Sequence, residues 1–211
     1  VNVGETAVFL CQTDEIIRQS LNPFRYFLRR YFDQSTTRDE EDNKHRFSEI
    51  MADLLADVSD RALRDELERI SSFLGSLVGL FWEGSLYEQL EPELRFENTI
   101  NAIKTLFQAE SRRQPVVIQL EDAHWLDPDS KEFLGRLTRN VADFPLILLV
   151  TSRDDVAADL FAPDTPLESI HLQALGEESL VDMAQAIINR QPSPALLQLL
   201  DERTGGNPFY A

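Results

Sequence analysis

The sequence predicts an α/β fold, a parallel sheet flanked by helices and followed by a helical C-terminal part, on three observations. Val116, Val117, Ile118 and Leu120 form a short apolar run without helical period, which delivers two adjacent carboxylates, Glu121 and Asp122, to its end. From Pro115 to Arg153 a strand, a helix and a second strand follow within roughly the 30 residues of a βαβ crossover, which makes the two strands parallel. Beyond Arg153 the periodicity is helical.

Taken in order, Ala7–Cys11 reads as a first strand. Phe24, Phe27, Leu28, Tyr31 and Phe32 fall on one face of a helix opened near Pro23. The polar run Gln34–Lys44 reads as a loop. Phe47, Ile50, Met51, Leu54 and Leu55 repeat the helical spacing, as do Leu63, Leu67, Ile70 and Leu74, with an end expected before Gly75. These helices form an insertion-like block over about residues 34–90, and Leu77–Trp82 stays unassigned between a buried helix and a loop edge.

Pro92 opens a helix whose Phe96, Ile100, Ile103 and Phe107 are expected to face the sheet. After the acid-ended strand, Asp127 is placed to cap a helix with Pro128 at its first position and Phe133, Leu134, Leu137 and Val141 as its buried stripe. Pro145–Val150 is the next strand. Leu180, Met183, Ala184, Ile187 and Ile188 then mark one helix, and Pro194 opens another that stops at Gly205-Gly206. The domains expected are residues 1–155, an α/β core, and 156–211, a helical subdomain.

Composition limits the function. The 211 residues are 43% hydrophobic, enough for an ordinary core, and 37 acidic against 20 basic residues give a net charge of −17. That balance opposes a broad nucleic-acid footprint. The single cysteine, Cys11, has no partner in the chain and suits a reducing cytoplasm. No apolar stretch approaches a membrane span and no charged-then-apolar leader opens the chain, so a cytoplasmic protein without membrane contact is expected. The stripe Arg25, Arg29, Arg30 reads as a solvated helix face among acids.

The segment LEDAHWLDPDS, the strand PLILLVTSR and the downstream ERTGGNPFY, in this order, resemble the ATPase modules of the STAND class of P-loop NTPases. The likeness is to AAA-like ATPase domains of large bacterial signalling and transcriptional regulators, joined to cyclase, LuxR-type or tetratricopeptide domains. It implies a P-loop NTPase-like sheet with a C-terminal helical lid. It also implies a switch that binds and hydrolyses ATP and signals to other domains of a larger protein, with homo-oligomers on activation. On that resemblance Glu121 and Asp122 form the Walker B acids for Mg2+, with Asp122 polarising the attacking water. Arg153 supplies a catalytic cation after the sensor strand, His124 belongs to the cofactor-binding motif, and Asn207 and Pro208 contact the nucleotide base. The order Glu-Asp departs from the commoner Asp-Glu.

The phosphate-gripping loop GxxxxGK(S/T) does not occur in these residues. The resemblance places it before Ala7, so a domain excised from a longer protein is expected, whose loop was either cut away or lost by the parent; such a fragment is expected to be inactive by itself, with ATP or ADP and Mg2+ bound in an intact parent that carries the loop.

Each assignment has a plainer alternative. The acid pair also reads as a solvated turn, His124 as a hydrogen-bonded structural residue, and Trp125 as packing. Arg153 also reads as an ion-pair partner of Asp154, Asp155 or Glu121, and Gly206-Asn207-Pro208 as a helix stop. At the level of function, a degenerate, non-hydrolysing scaffold for protein contacts is one alternative. A metal hydrolase built on Glu121, Asp122, His124, Asp127 and Asp129 is another.

Overall fold

Residues 6–17, 19–153 and 160–210 are described in the structure, which is a computed structural model. The chain forms two units, residues 1–165 and 166–211. In the first, β1 (Ala7–Gln12), β2 (Val116–Glu121) and β3 (Leu146–Val150) make a parallel sheet in the order β1-β2-β3. Ala7 pairs with Val116, and Val116 with Leu146. Alternation along each strand sends Phe9, Cys11, Val116, Ile118 and Leu120 toward one face. There α1 (Asn22–Tyr31) and α5 (Pro92–Arg113) cover them. Phe9 meets Phe27 at 4.9 Å and Phe107 at 6.0 Å between ring centroids, and Phe24 of α1 meets Phe133 of α6 (Pro128–Leu137) at 4.5 Å. Each such ring contributes about 1.5–3 kcal/mol through burial.

The opposite face of the sheet is apolar and open. Val8 is 59% exposed, Ile147 63% and Leu149 48%. No described helix of this unit covers it, although parallel sheets are ordinarily buried on both faces.

The insertion-like block is built of α2 (Glu40–Asp57), α3 (Arg61–Leu77) and the single turn α4 (Leu86–Gln89), with α3 packed along α5. Two boundaries differ from expectation. The polar run from Gln34 is helical from Glu40 onward. Asp39 accepts from the Asp42 amide (2.8 Å), and Glu40, Glu41 and Asp42 fill the first turn, where acids complement the helix dipole. Helix α3 continues through Gly75, which is interior because the Trp82 ring lies against it. A Cβ there would stand 2.2 Å from Trp82 Cζ3. Val78 and Leu80 are then buried on either side of an exposed turn at Gly79. Val141 lies beyond the end of α6.

Three elements of this unit share a buried acid. Glu110 of α5, 2% exposed, accepts from the Tyr31 hydroxyl of α1 and from Arg113 Nη1 (3.1 Å), and Arg113 also pairs with Asp57 of α2 (2.7 Å). Burial and the adjacent Glu110 carboxylate raise the Tyr31 pKa, so the phenol stays protonated and donates. Cys11 is fully buried and free, and burial raises its thiol pKa, leaving it inert. No helix among the described residues is long and apolar enough to cross a membrane.

The second unit carries α7 (Glu177–Ile188) and α8 (Pro194–Thr204), packed on each other. On α7, Leu180 and Ala184 are buried, while Ile187 is 67% exposed. Gly205 ends α8 in the left-handed region (φ 56°), as expected for a helix stop. Gly206 follows at φ 73°, with the Leu175 carbonyl oxygen 2.6 Å from where a Cβ would sit. Gly205→Ala is expected to cost about 1–2 kcal/mol, the left-handed penalty alone. Gly206→Ala adds a backbone clash worth about 1–3 kcal/mol more. Urea unfolding followed by circular dichroism checks the order, and equal midpoints for the two variants would contradict the Leu175 contact.

Candidate functional site

Parallel pairing brings the carboxyl ends of all three strands to one edge, where α/β sheets bind ligands. The end of β2 is held from both sides. Thr13, just past β1, shares its hydroxyl proton between the carbonyls of Glu121 (3.0 Å) and Asp122 (2.8 Å). Thr151, just past β3, accepts from the Asp122 amide at Oγ1 (3.3 Å) and from the Ala123 amide at its carbonyl (2.8 Å). Asp122 sits at φ 54°, ψ 47°, the left-handed region that a non-glycine residue occupies at a cost of about 1–2 kcal/mol. It turns the chain out of the strand into a 3₁₀ turn, Ala123–Trp125.

Glu121 and Asp122 are both half-buried. Glu121 follows Val117 and Gln119 on the open face, and its Oε1 accepts from Gln119 Nε2 (2.9 Å). The Asp122 carboxylate accepts no hydrogen bond from a described residue. One glutamate oxygen and the whole aspartate carboxylate are therefore uncommitted. This fits Mg2+, which takes one or two carboxylates plus phosphate and water.

His124 lies 4.9 Å from the Trp125 ring, centroid to centroid, and both of its ring nitrogens are buried without a hydrogen-bond partner. The expectation of a hydrogen-bonded structural histidine is not met. A buried ring nitrogen left unsatisfied costs about 1–3 kcal/mol, and such groups stand out where most buried polar atoms are paired.

Asp127 is structural. It caps α6 through the Ser130 amide (2.9 Å), accepts the Ser130 hydroxyl (2.6 Å), and reaches across to the Leu21 (3.1 Å) and Asn22 (3.3 Å) amides at the start of α1. Both oxygens are consumed, so it is no metal ligand, and no group of three or more acid, histidine or cysteine side chains that could hold a metal exists among the described residues. Asp127 is thereby lost to the metal-hydrolase alternative.

Arg153 lies two residues beyond Thr151, exposed, and makes no ion pair with Glu121. Asp154 and Asp155 lie outside the described residues. Asn207 and Pro208 belong to the second unit, where Asn207 Oδ1 accepts from the Phe209 amide (2.9 Å) in a turn. The structure thus brings Glu121, Asp122 and His124 onto one edge with Arg153 one strand over. Sequence reasoning missed the part played by Thr13. A hydroxyl directly after an apolar strand is the signal for it.

A parallel sheet whose central strand delivers two clamped acids to its carboxyl edge is the arrangement of a nucleotide-hydrolysing α/β domain. The chain belongs to the AAA ATPase domain family, which matches residues 3–150. ATP and a divalent metal are the ligands typical of that family. A protein of Rhizobium meliloti (strain 1021), named "Uncharacterized protein R02095", is 38% identical over 126 residues, 57% of this chain. The match covers 12% of that relative's length. No solved structure matches the chain.

Asp127→Ala orphans three donors, the Leu21 amide and the Ser130 amide and hydroxyl, while the Asn22 amide keeps the Gln19 carbonyl (3.0 Å). The expected loss is about 3 kcal/mol or more, at roughly 1 kcal/mol or above for each buried donor. Asp129→Ala in the same helix turn should stay within about 0.5 kcal/mol. Chemical denaturation of the two variants checks the contrast.

Proposed function

We propose that this chain is part of an ATP-binding and ATP-hydrolysing switch of the STAND type, one module of a larger signalling or transcriptional regulator. The observation that carries the reading is the clamped acid turn. Glu121 and Asp122 stand at the carboxyl edge with uncommitted oxygens, fixed by Thr13 and Thr151. Glu121 would hold Mg2+, which would supply positive charge to the nucleotide phosphates. Asp122 accepts the proton of the attacking water, and Arg153 offers a cation to the transferred phosphoryl group. His124 belongs to the nucleotide-binding motif, and Asn207 and Pro208 serve the base.

In this reading the phosphate-gripping loop is supplied by residues before Val1, because the glycine-lysine pattern does not occur within the chain. The match to a small fraction of a much longer relative supports a module within a larger protein. Other domains read the nucleotide state, and self-association accompanies activation. Nucleotide shifts the switch only by binding its two arrangements with different affinity. The cytoplasm is its compartment.

A second reading, an NTPase-fold scaffold that binds protein segments without hydrolysis, draws on the open apolar face at Val8, Ile147 and Leu149. Fluorescent-ATP titration with Mg2+ separates the two. The chain extended upstream by about fifty residues, enough for a strand, loop and helix, is expected to bind, and this chain alone is not. Binding by neither, with both folded, favours the scaffold. In the extended protein, Asp122→Asn should retain binding and lower turnover by about 10²–10⁴-fold. Glu121→Ala should weaken Mg2+-dependent binding. Wild-type turnover by Asp122→Asn would remove Asp122 from its role.

A further inference from the structure

The charge of this chain is −17, yet one cleft runs against it. Between the start of α1, the end of α3, α4 and the start of α5 lies a cavity of about 250 Å³. Its walls include Ser20, Arg25, Tyr87, Arg95, Phe96 and Thr99, and no carboxylate lines it. Arg25, expected on a solvated helix face with Arg29 and Arg30, is instead half-buried here.

Both guanidinium groups are held by main-chain carbonyls. Arg25 donates from Nε to Ser20 O (2.8 Å) and from Nη1 to Leu77 O (2.9 Å). Arg95 donates from Nε to Leu90 O (2.7 Å) and from Nη2 to Glu88 O (3.0 Å), with its guanidinium 5.1 Å from the Tyr87 ring centroid. Neither makes an ion pair among the described residues. A guanidinium has five N–H donors, so each of these two keeps three uncommitted. The Tyr87 hydroxyl makes no hydrogen bond among the described residues.

Leu77 is the last residue of α3, so Arg25 also complements the C-terminal end of that helix. That role and the Ser20 bond use Nε and one Nη1 hydrogen and leave Nη2 uncommitted. Burial makes the charged form of Arg25 harder to hold and lowers its pKa. The acid Asp127 offers partial relief, but its oxygens are taken by four other donors.

We propose that this cleft binds a small oxyanion, a phosphate or short carboxylate, gripped by the preset forks of Arg25 and Arg95 with Tyr87 at one side and Phe96 as the apolar wall. Two arginines fixed before the ligand arrives lose little freedom on binding, and their planar forks match two oxygens of one phosphate or carboxylate. The volume falls below the 300–1,000 Å³ range of drug-sized sites, which restricts the occupant to a small one. The site is separate from the acid edge and does not depend on the ATPase reading. Leu21 borders both regions, lining the cleft and donating its amide to Asp127, so its amide reports occupancy.

The test is a 15N-correlation NMR titration of the chain with inorganic phosphate and, separately, with succinate, both at constant ionic strength in chloride. Saturable shifts are expected at the amides of Leu21 and Thr99. Saturation by phosphate alone, by succinate alone or by both supports the site and names its oxyanion class. Arg95→Gln should weaken binding by about tenfold or more, the loss of a charge-assisted contact, and Arg29→Gln, on the exposed face of α1, should leave it unchanged. If Arg95→Gln unfolds, Arg95→Lys, which keeps charge and loses the fork, should still weaken binding severalfold. Absence of saturation by both anions up to about 10 mM, or equal affinity in both Arg95 variants and the parent chain, overturns the proposal.

Discussion

A single buried carboxylate sets the geometry on which the rest of the first unit depends. Asp127 satisfies the first turns of two helices at once, α6 in sequence and α1 across 106 residues. Without it, the Leu21 amide and both donors of Ser130 would be left unpaired, and the acid turn at Asp122 would lead into an unanchored helix. Because α1 lies on β1 and α6 follows β2, the same carboxylate fixes how the helical layer meets the strand ends. Thr13 and Thr151 then finish the edge by pairing the main-chain groups that the end of a ladder leaves over.

The sheet is built asymmetrically. One face is packed by aromatic rings from α1 and α5, and the other keeps Val8, Ile147 and Leu149 in solvent. The candidate acids sit at the border of these two environments. Glu121 shares the open side with Gln119, and Asp122 turns the chain back toward the packed side. Polar chemistry at the edge is thus carried on a rigid apolar platform, which is how strand-end carboxylates are kept in place without being desolvated fully.

Much of this is legible in the sequence, for identifiable reasons. The three strands are short apolar runs, and α1, α5 and α8 are signalled by proline at the first turn with regular apolar spacing. Asp127 announces itself as a cap because Pro128 follows it. The start of α2 is hidden because its acidic first turn has the composition of a loop. Gly75 misleads because the reason for a glycine there, the Trp82 ring, is a tertiary contact. The burial of Arg25 is invisible for the same reason, since its carbonyl partner Leu77 is 52 residues away. In the site, the acids are readable as residue types. The left-handed backbone of Asp122 and the unpaired nitrogens of His124 depend on packing that no local pattern encodes.

The spacing of the strands along the chain imposes an order on assembly. Asp122 meets Thr151 across 29 residues but Thr13 across 109, so β2 and β3 close a short loop while β1 waits for a partner made much later. During synthesis at about 5–20 residues per second, that wait is roughly 5–20 s. Throughout it the run from Val8 to Cys11 is an unpaired apolar strand, and the acidic stretch that follows it, Glu40 to Asp42, helps keep the nascent chain apart from others. The carboxyl edge needs Thr13, Asp122 and Thr151 together, so it is the last part of the sheet to exist, and whatever it binds can do so only once the third strand has been delivered.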